Sequence, residues 1–178
     1  MLNTIALFCD RINAFVGKSA SWLALAMVLI MTINVFMRYL FALGDPWQQE
    51  LVRFMHAALF LLAAGYALQC EQHVRVDVLY QGMNQRKKAI VNLVGTLLFL
   101  FPVAISIIYF SYDYVLNSWG ILEGSAEYKG LPGVFLLKSC IWAAGGLLII
   151  QGISVICRSI LVLRIASHNA RHDMSGDA

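Results

Sequence analysis

Six side chains in or beside the apolar stretches of this sequence carry groups able to do chemistry: Arg38, Glu50, Arg53, His56 and Lys138 inside them, and Asp113 at the end of one. Ionisable groups at membrane depth are costly. Each therefore raises three hypotheses: a solute or ion path, an internal tie between helices, or a docking surface for a second chain. Glu50, Arg53 and His56 recur at three-residue spacing, which places neighbours on one helical face. Arg38 lies across a short turn from Glu50, so the spacing predicts an Arg38–Glu50–Arg53 network that pins two helices together. Asp113 and Lys138 are expected to pair in the same way. With helices alternating in direction, all six fall in one layer, whereas a relay would continue across the membrane. The layer reads first as a structural charge layer or partner interface.

Other chemistries find little support. Cys9, Cys70, Cys140 and Cys157 form no Cys-x-x-Cys pair. They read as reduced thiols that pack as small apolar residues. A disulfide-forming thiol oxidase would need cysteine pairs, and a membrane haem protein would need axial ligands beyond the single His56. No enzymatic activity, catalytic residue, metal site or cofactor is expected.

Apolar residues make up 60% of the 178 positions and charged residues 13%, about half the charged share of a soluble domain. The polar residues cluster between long apolar runs. A hydrocarbon core of roughly 30 Å needs about 20 helical residues, and four windows suffice: about 22–40, 47–68, 89–112 and 132–156. No ten-residue segments of alternating polarity suggest a transmembrane barrel. The fold class expected is an all-α integral membrane protein with four transmembrane helices. The first is a retained span, because no small-x-small cleavage site follows it.

Orientation follows from the basic residues. Arg11, Lys18, Arg75, Arg86, Lys87, Lys88, Arg158, Arg164 and Arg171 fall on one side, against Lys129 on the other. That asymmetry predicts an N-in/C-in chain with both termini cytoplasmic. The net charge of +3 is a topology signal and implies no nucleic-acid partner.

Residues 1–18 space Leu2, Ile5, Phe8, Ile12, Phe15 and Val16 at helical intervals, and read as an N-terminal amphipathic interfacial helix. The four-helix domain then covers 19–165, and residues 166–178 are expected to be a disordered cytoplasmic tail. Asp45-Pro46 marks a tight turn. Asp77 is placed to cap a short interfacial helix between the second and third spans. The loop before the fourth span carries Trp119, Glu123, Glu127 and Tyr128, which with Trp47 make an aromatic, mildly acidic rim. Pro102 is expected to kink the third span. No inverted repeat appears, which argues against autonomous transport. The abundant Ala and Gly of the second and fourth spans mark close-packing faces.

Asn34-Val-Phe-Met-Arg-Tyr-Leu-Phe41, Trp47-Gln-Gln-Glu-Leu-Val-Arg53, His73-Val-Arg-Val-Asp77 and Pro132 followed by Lys138 resemble the DctQ-type small membrane subunit of tripartite (TRAP) transporters, from about Trp22 to Arg158. The resemblance implies a small scaffold subunit of a sodium-coupled, binding-protein-dependent importer of organic acids in the bacterial inner membrane. Its implied partners are an obligate large membrane transport subunit, a periplasmic substrate-binding protein and phospholipid, with sodium handled only by the large subunit. The rim of Trp47, Glu123, Glu127 and Tyr128 is then a contact for the binding protein. The alternative is an autonomous small membrane transporter or channel.

Overall fold

The computed structural model describes residues 1–42, 46–70, 82–127 and 130–176, with side chains described through residue 166. Its elements are α1 (Leu2–Phe41), α2 (Pro46–Gln69), α3 (Gln85–Gly95), a π-helical turn (Thr96–Leu100), α4 (Phe101–Phe110), α5 (Tyr112–Gly120) and α6 (Val134–Gly176). No strand occurs among the described residues. Among the described residues four helices are long and apolar enough to cross a membrane: Leu2–Phe41, Pro46–Gln69, Gln85–Gly120 and Val134–Ala166. The segments 43–45, 71–81 and 128–129 lie outside the described residues. So do the Asp45 turn residue, the Asp77 helix and Tyr128.

Two boundaries differ from the sequence expectation. Residues 2–18 are continuous with the first span in one 40-residue helix, because nothing in Gly17-Lys-Ser-Ala-Ser-Trp22 is strong enough to break it. One face of this segment, Ala6, Cys9, Asp10, Asn13, Gly17 and Ala20, is buried in the chain. Those positions recur every three or four residues, which is the spacing of a helix packing on protein. At the other terminus helix continues to Gly176, through the tail expected to be disordered.

The third span is interrupted twice. Pro102 has no N–H to continue the helical ladder, and the turn just before it widens, so that the Phe101 N–H reaches back five residues to the Thr96 carbonyl. A π turn of this kind absorbs a proline without ending the helix. Nine residues on, the Ser111 hydroxyl donates to the Ile107 carbonyl at 2.6 Å, competing with the backbone where α4 gives way to α5.

α6 is the common wall. It packs against α1, α2 and every part of the third span, while α1 and α2 also pack on each other. A third of its most apolar window is buried within the chain, against 11% or less for the other three helices. Close approach is set by glycines. A Cβ on Gly145 would lie 2.6 Å from Ile108 Cγ1 and 3.3 Å from the Ala104 carbonyl, and one on Gly152 would lie 2.4 Å from Phe101. Both intervals, 145 to 152 and 101 to 108, are seven residues, so two turns of α6 meet two turns of α4 in antiparallel register. Between α1 and α2, Gly17 admits Tyr66 and Gly65 admits Asn13, and Gly65 also admits Leu147 of α6.

Gly145 and Gly146 are chain neighbours in different surroundings, since a Cβ on Gly146 meets nothing within 4 Å. Gly145→Ala is expected to destabilise the protein by about 1–3 kcal/mol through overpacking. Gly146→Ala is expected to be neutral or slightly stabilising, because alanine favours helix. Thermal unfolding of the two variants in the same detergent checks the difference.

Candidate functional site

Polar residues are collected at the two ends of the helices. At the turn end, where α1 passes to α2 and α5 to α6, Glu50 is buried in the first turns of α2. Its Oε2 accepts the Leu131 N–H at 2.7 Å, and the Ser125 hydroxyl is hydrogen-bonded to the same carboxylate. The loop closes on itself around this anchor, with the Ser125 N–H donating to the Leu131 carbonyl at 3.0 Å. Gly130 is required here: a Cβ would lie 2.4 Å from Ser125 Cβ and 2.8 Å from Glu50 Oε2. Glu50 thus ties the loop before α6 to α2.

Arg53, one turn further along α2, pairs with Glu127 of that loop at 2.9 Å. Both side chains are at least half exposed, so the pair contributes little stability in water. Lys138, near the start of α6, pairs with Glu123 and lies 3.8 Å above the centroid of the Tyr114 ring. Trp119 Nε1 donates to Ser139 Oγ at 2.8 Å and packs edge-on against Phe135, and Tyr112 stacks on Trp142. Together these bonds fasten α5 to the first turns of α6. The Lys138 ammonium holds the Glu123 carboxyl below its ordinary value.

The structure therefore brings Glu50, Arg53, Glu123, Glu127 and Lys138 to one end, with partners that differ from those expected. Among the described residues no bond joins Arg38 to Glu50. Arg38 is exposed near the end of α1. Lys138 takes Glu123, leaving Asp113 exposed beside an apolar groove formed with Ile105, Tyr109 and Phe110. His56 and Trp47 are also exposed.

A second polar knot sits at the terminal end, between Asp10 and Arg158, which the sequence reading placed outside the spans, and Gln151 and Ser154, which it placed within the fourth. Asp10 of α1 is buried. Its Oδ1 accepts from Ser154 Oγ at 2.7 Å and Gln151 Nε2 at 3.0 Å, and its Oδ2 accepts from Arg158. Ser154 also lies 3.3 Å from the Ala6 carbonyl. Gln151, Ser154 and Arg158 share one face of α6 by their spacing of three and four. The signal was present in the sequence: an acid flanked at helical intervals by Ala6, Asn13 and Gly17 marks a packed face.

These groups hold helices to one another, and among the described residues no cluster of His, Cys, Asp and Glu is arranged to hold a metal ion. The architecture is that of a multi-span membrane protein cross-tied at both ends. A family model described as tripartite ATP-independent periplasmic transporters, DctQ component, matches residues 27–162. The chain belongs to this family, the small component of TRAP transporters. No curated protein and no solved structure matches it.

Because its folded-state value is depressed, Glu123 contributes stability above its unfolded value, and this is lost as pH falls through the folded value. Acidification below the ordinary carboxylate range is expected to loosen the α5–α6 connection and alter the emission of Trp119. Glu123→Gln is expected to abolish that pH dependence. Fluorescence of a variant retaining Trp119 as its sole tryptophan, titrated with and without Glu123→Gln, checks both.

Proposed function

We propose that this chain is the static membrane scaffold of a sodium-coupled, binding-protein-dependent importer of organic acids, with sodium and solute carried by the large subunit. The observation that carries the reading is the family match over residues 27–162. The helices are consistent with it: they are fastened at both ends, and the bonds of Glu50, Lys138 and Asp10 are internal. A support must resist bending while its partner moves.

The basic residues supply the orientation. Nine of them lie on the side of the terminal end, counting by alternating helices. This asymmetry supports cytoplasmic termini and a periplasmic turn end, and the family match supports a bacterial inner membrane. The periplasmic rim then consists of Trp47, Glu123 and Glu127, held by Glu50 and Lys138, and it is the surface offered to the loaded binding protein. Arg38 and Asp113, exposed at the same end, are offered to the large subunit. The apolar side chains that α1 and the third span leave uncovered, Phe36, Leu98, Phe99 and Val103 among them, face that subunit or lipid.

Co-purification decides the matter. A tagged large multi-span subunit is expected to retain this chain, and reconstitution of this chain alone is expected to give no solute uptake. Uptake by the chain alone would establish an autonomous transporter or channel instead. Arg38→Ala is expected to lower recovery of the complex about tenfold, equivalent to about 1.4 kcal/mol of interface energy, with solute affinity unchanged. Normal recovery with a tenfold change in affinity would overturn the assignment.

A further inference from the structure

The N-terminal half of α1 has two faces. The inner one, with Ala6, Asp10, Asn13 and Gly17, is buried against α2 and α6. The outer one begins a row of large apolar residues, Phe8, Phe15, Trp22, Leu29 and Phe36, at intervals of seven. All five are more than half exposed, Phe8 at 64%, Phe15 at 75% and Trp22 at 70%. Ile5 and Ile12 stand three residues before Phe8 and Phe15, so apolar positions alternate by three and four as in the seam of a coiled coil. A repeat of seven keeps such a seam turned toward one partner helix along its length.

Lipid tails cannot cover the whole seam. α1 has 40 residues, a length of about 60 Å at 1.5 Å per residue. It packs lengthwise on α2 and α6 and so shares the tilt of the bundle. Even at a tilt of about 40° it rises about 46 Å, against a hydrocarbon thickness of about 30 Å. If the Asp10–Arg158 pair marks the terminal edge of the hydrocarbon, Ile5 and Phe8 stand beyond the tails. Lys18 then stands within them, about 12 Å further along the helix, where an unpaired ammonium is costly.

Arg11 and Lys18 immediately precede Ile12 and Ser19, on the flank whose charges choose the partner of a coiled coil. Both are exposed, and among the described residues no bond reaches either side chain. The single acid of α1, Asp10, is buried, so the same face of a second copy offers them no complement. A helix that is apolar opposite Phe8 and Phe15 and acidic opposite Arg11 and Lys18 removes both misfits.

We propose that the outer face of α1 from Ile5 to Trp22 is a docking seam for such a helix, contributed by the large membrane subunit. The proposal rests on the scaffold reading. It leaves the rest of α1 and the third span to lipid and to the moving parts of that subunit.

The test uses the full chain co-expressed with the tagged large subunit, with the photoreactive residue benzoylphenylalanine in place of Phe8 or Phe15. Irradiation is expected to crosslink the two subunits at a helical segment carrying Asp or Glu. Phe8→Ala/Phe15→Ala is expected to lower recovery of the complex about tenfold, and Arg11→Gln/Lys18→Gln about threefold, with thermal unfolding of the isolated chain unchanged. Leu29→Ala, in the same row beyond Trp22, is expected to leave recovery unchanged. Crosslinks confined to lipid, to a second copy or to this chain itself would overturn the seam, as would full recovery with Phe8→Ala/Phe15→Ala. A crosslinked segment without an acid would overturn the charge match, and equal loss with Leu29→Ala the assignment to the N-terminal half. Failure of the large subunit to retain even the wild-type chain would overturn the scaffold reading and the seam with it; retention of the wild type and of these variants alike would overturn the seam alone.

Discussion

The architecture depends on α6, the helix on which all the others close. Lipid is as apolar as leucine, so burying leucine between helices gains little in a bilayer, and association has to come from close backbone approach and from polar bonds. α6 supplies both. Gly145 and Gly152 let α4 in, Gln151 and Ser154 reach Asp10 of α1, and Lys138 and Ser139 reach the α5 side. The third span has no comparable packing with α1 or α2. Among the described residues, its position relative to them is set mainly through α6.

That arrangement explains where the polar residues stand. Between Lys138 and Arg158, α6 presents only Gln151 and small hydroxyl, thiol or apolar side chains, since an ion held in mid-membrane without a partner is costly. Charges therefore gather where the helix leaves the hydrocarbon. Each end uses its charges differently. At the turn end they order a loop, with the Glu50 carboxylate accepting a backbone N–H that the 121–133 connection would otherwise leave unmatched. At the terminal end they join helices directly, with one carboxylate satisfying three side-chain donors.

The spans were legible in the sequence because hydropathy over 20 residues is set by the solvent and needs no tertiary information. The membership of the turn-end layer was legible for the same reason: Glu50, Arg53 and Lys138 share a depth. Their partners were not. Which acid meets Lys138 depends on how residues 121–133 fold back, and the short return of Glu123 toward Ser118, whose carbonyl accepts the Glu123 N–H at 2.9 Å, presents Glu123 in place of Asp113. The Asp10 knot escaped for a different reason. Hydropathy places the first span at Trp22, so a helix packed on protein before that point reads as an interfacial one. The pattern of Ala6, Asp10, Asn13 and Gly17 carries the correction, since small and polar residues on one helical face mark contact with another helix.

Two cross-tied ends also constrain what the chain can do. A moving transporter element needs an interface that two arrangements satisfy about equally. Sliding α6 by one turn against α1 would take Gln151, Ser154 and Arg158 from Asp10 together and leave a buried carboxylate unpaired, the kind of loss that is strongly destabilising. The same slide against α4 would move Gly145 and Gly152 away from Ile108 and Phe101, into which the neighbouring side chains do not fit. Both penalties oppose the same displacement. Any large motion in the assembled transporter is therefore expected to pass along the outer faces of α1 and the third span, and to leave the packing around α6 intact.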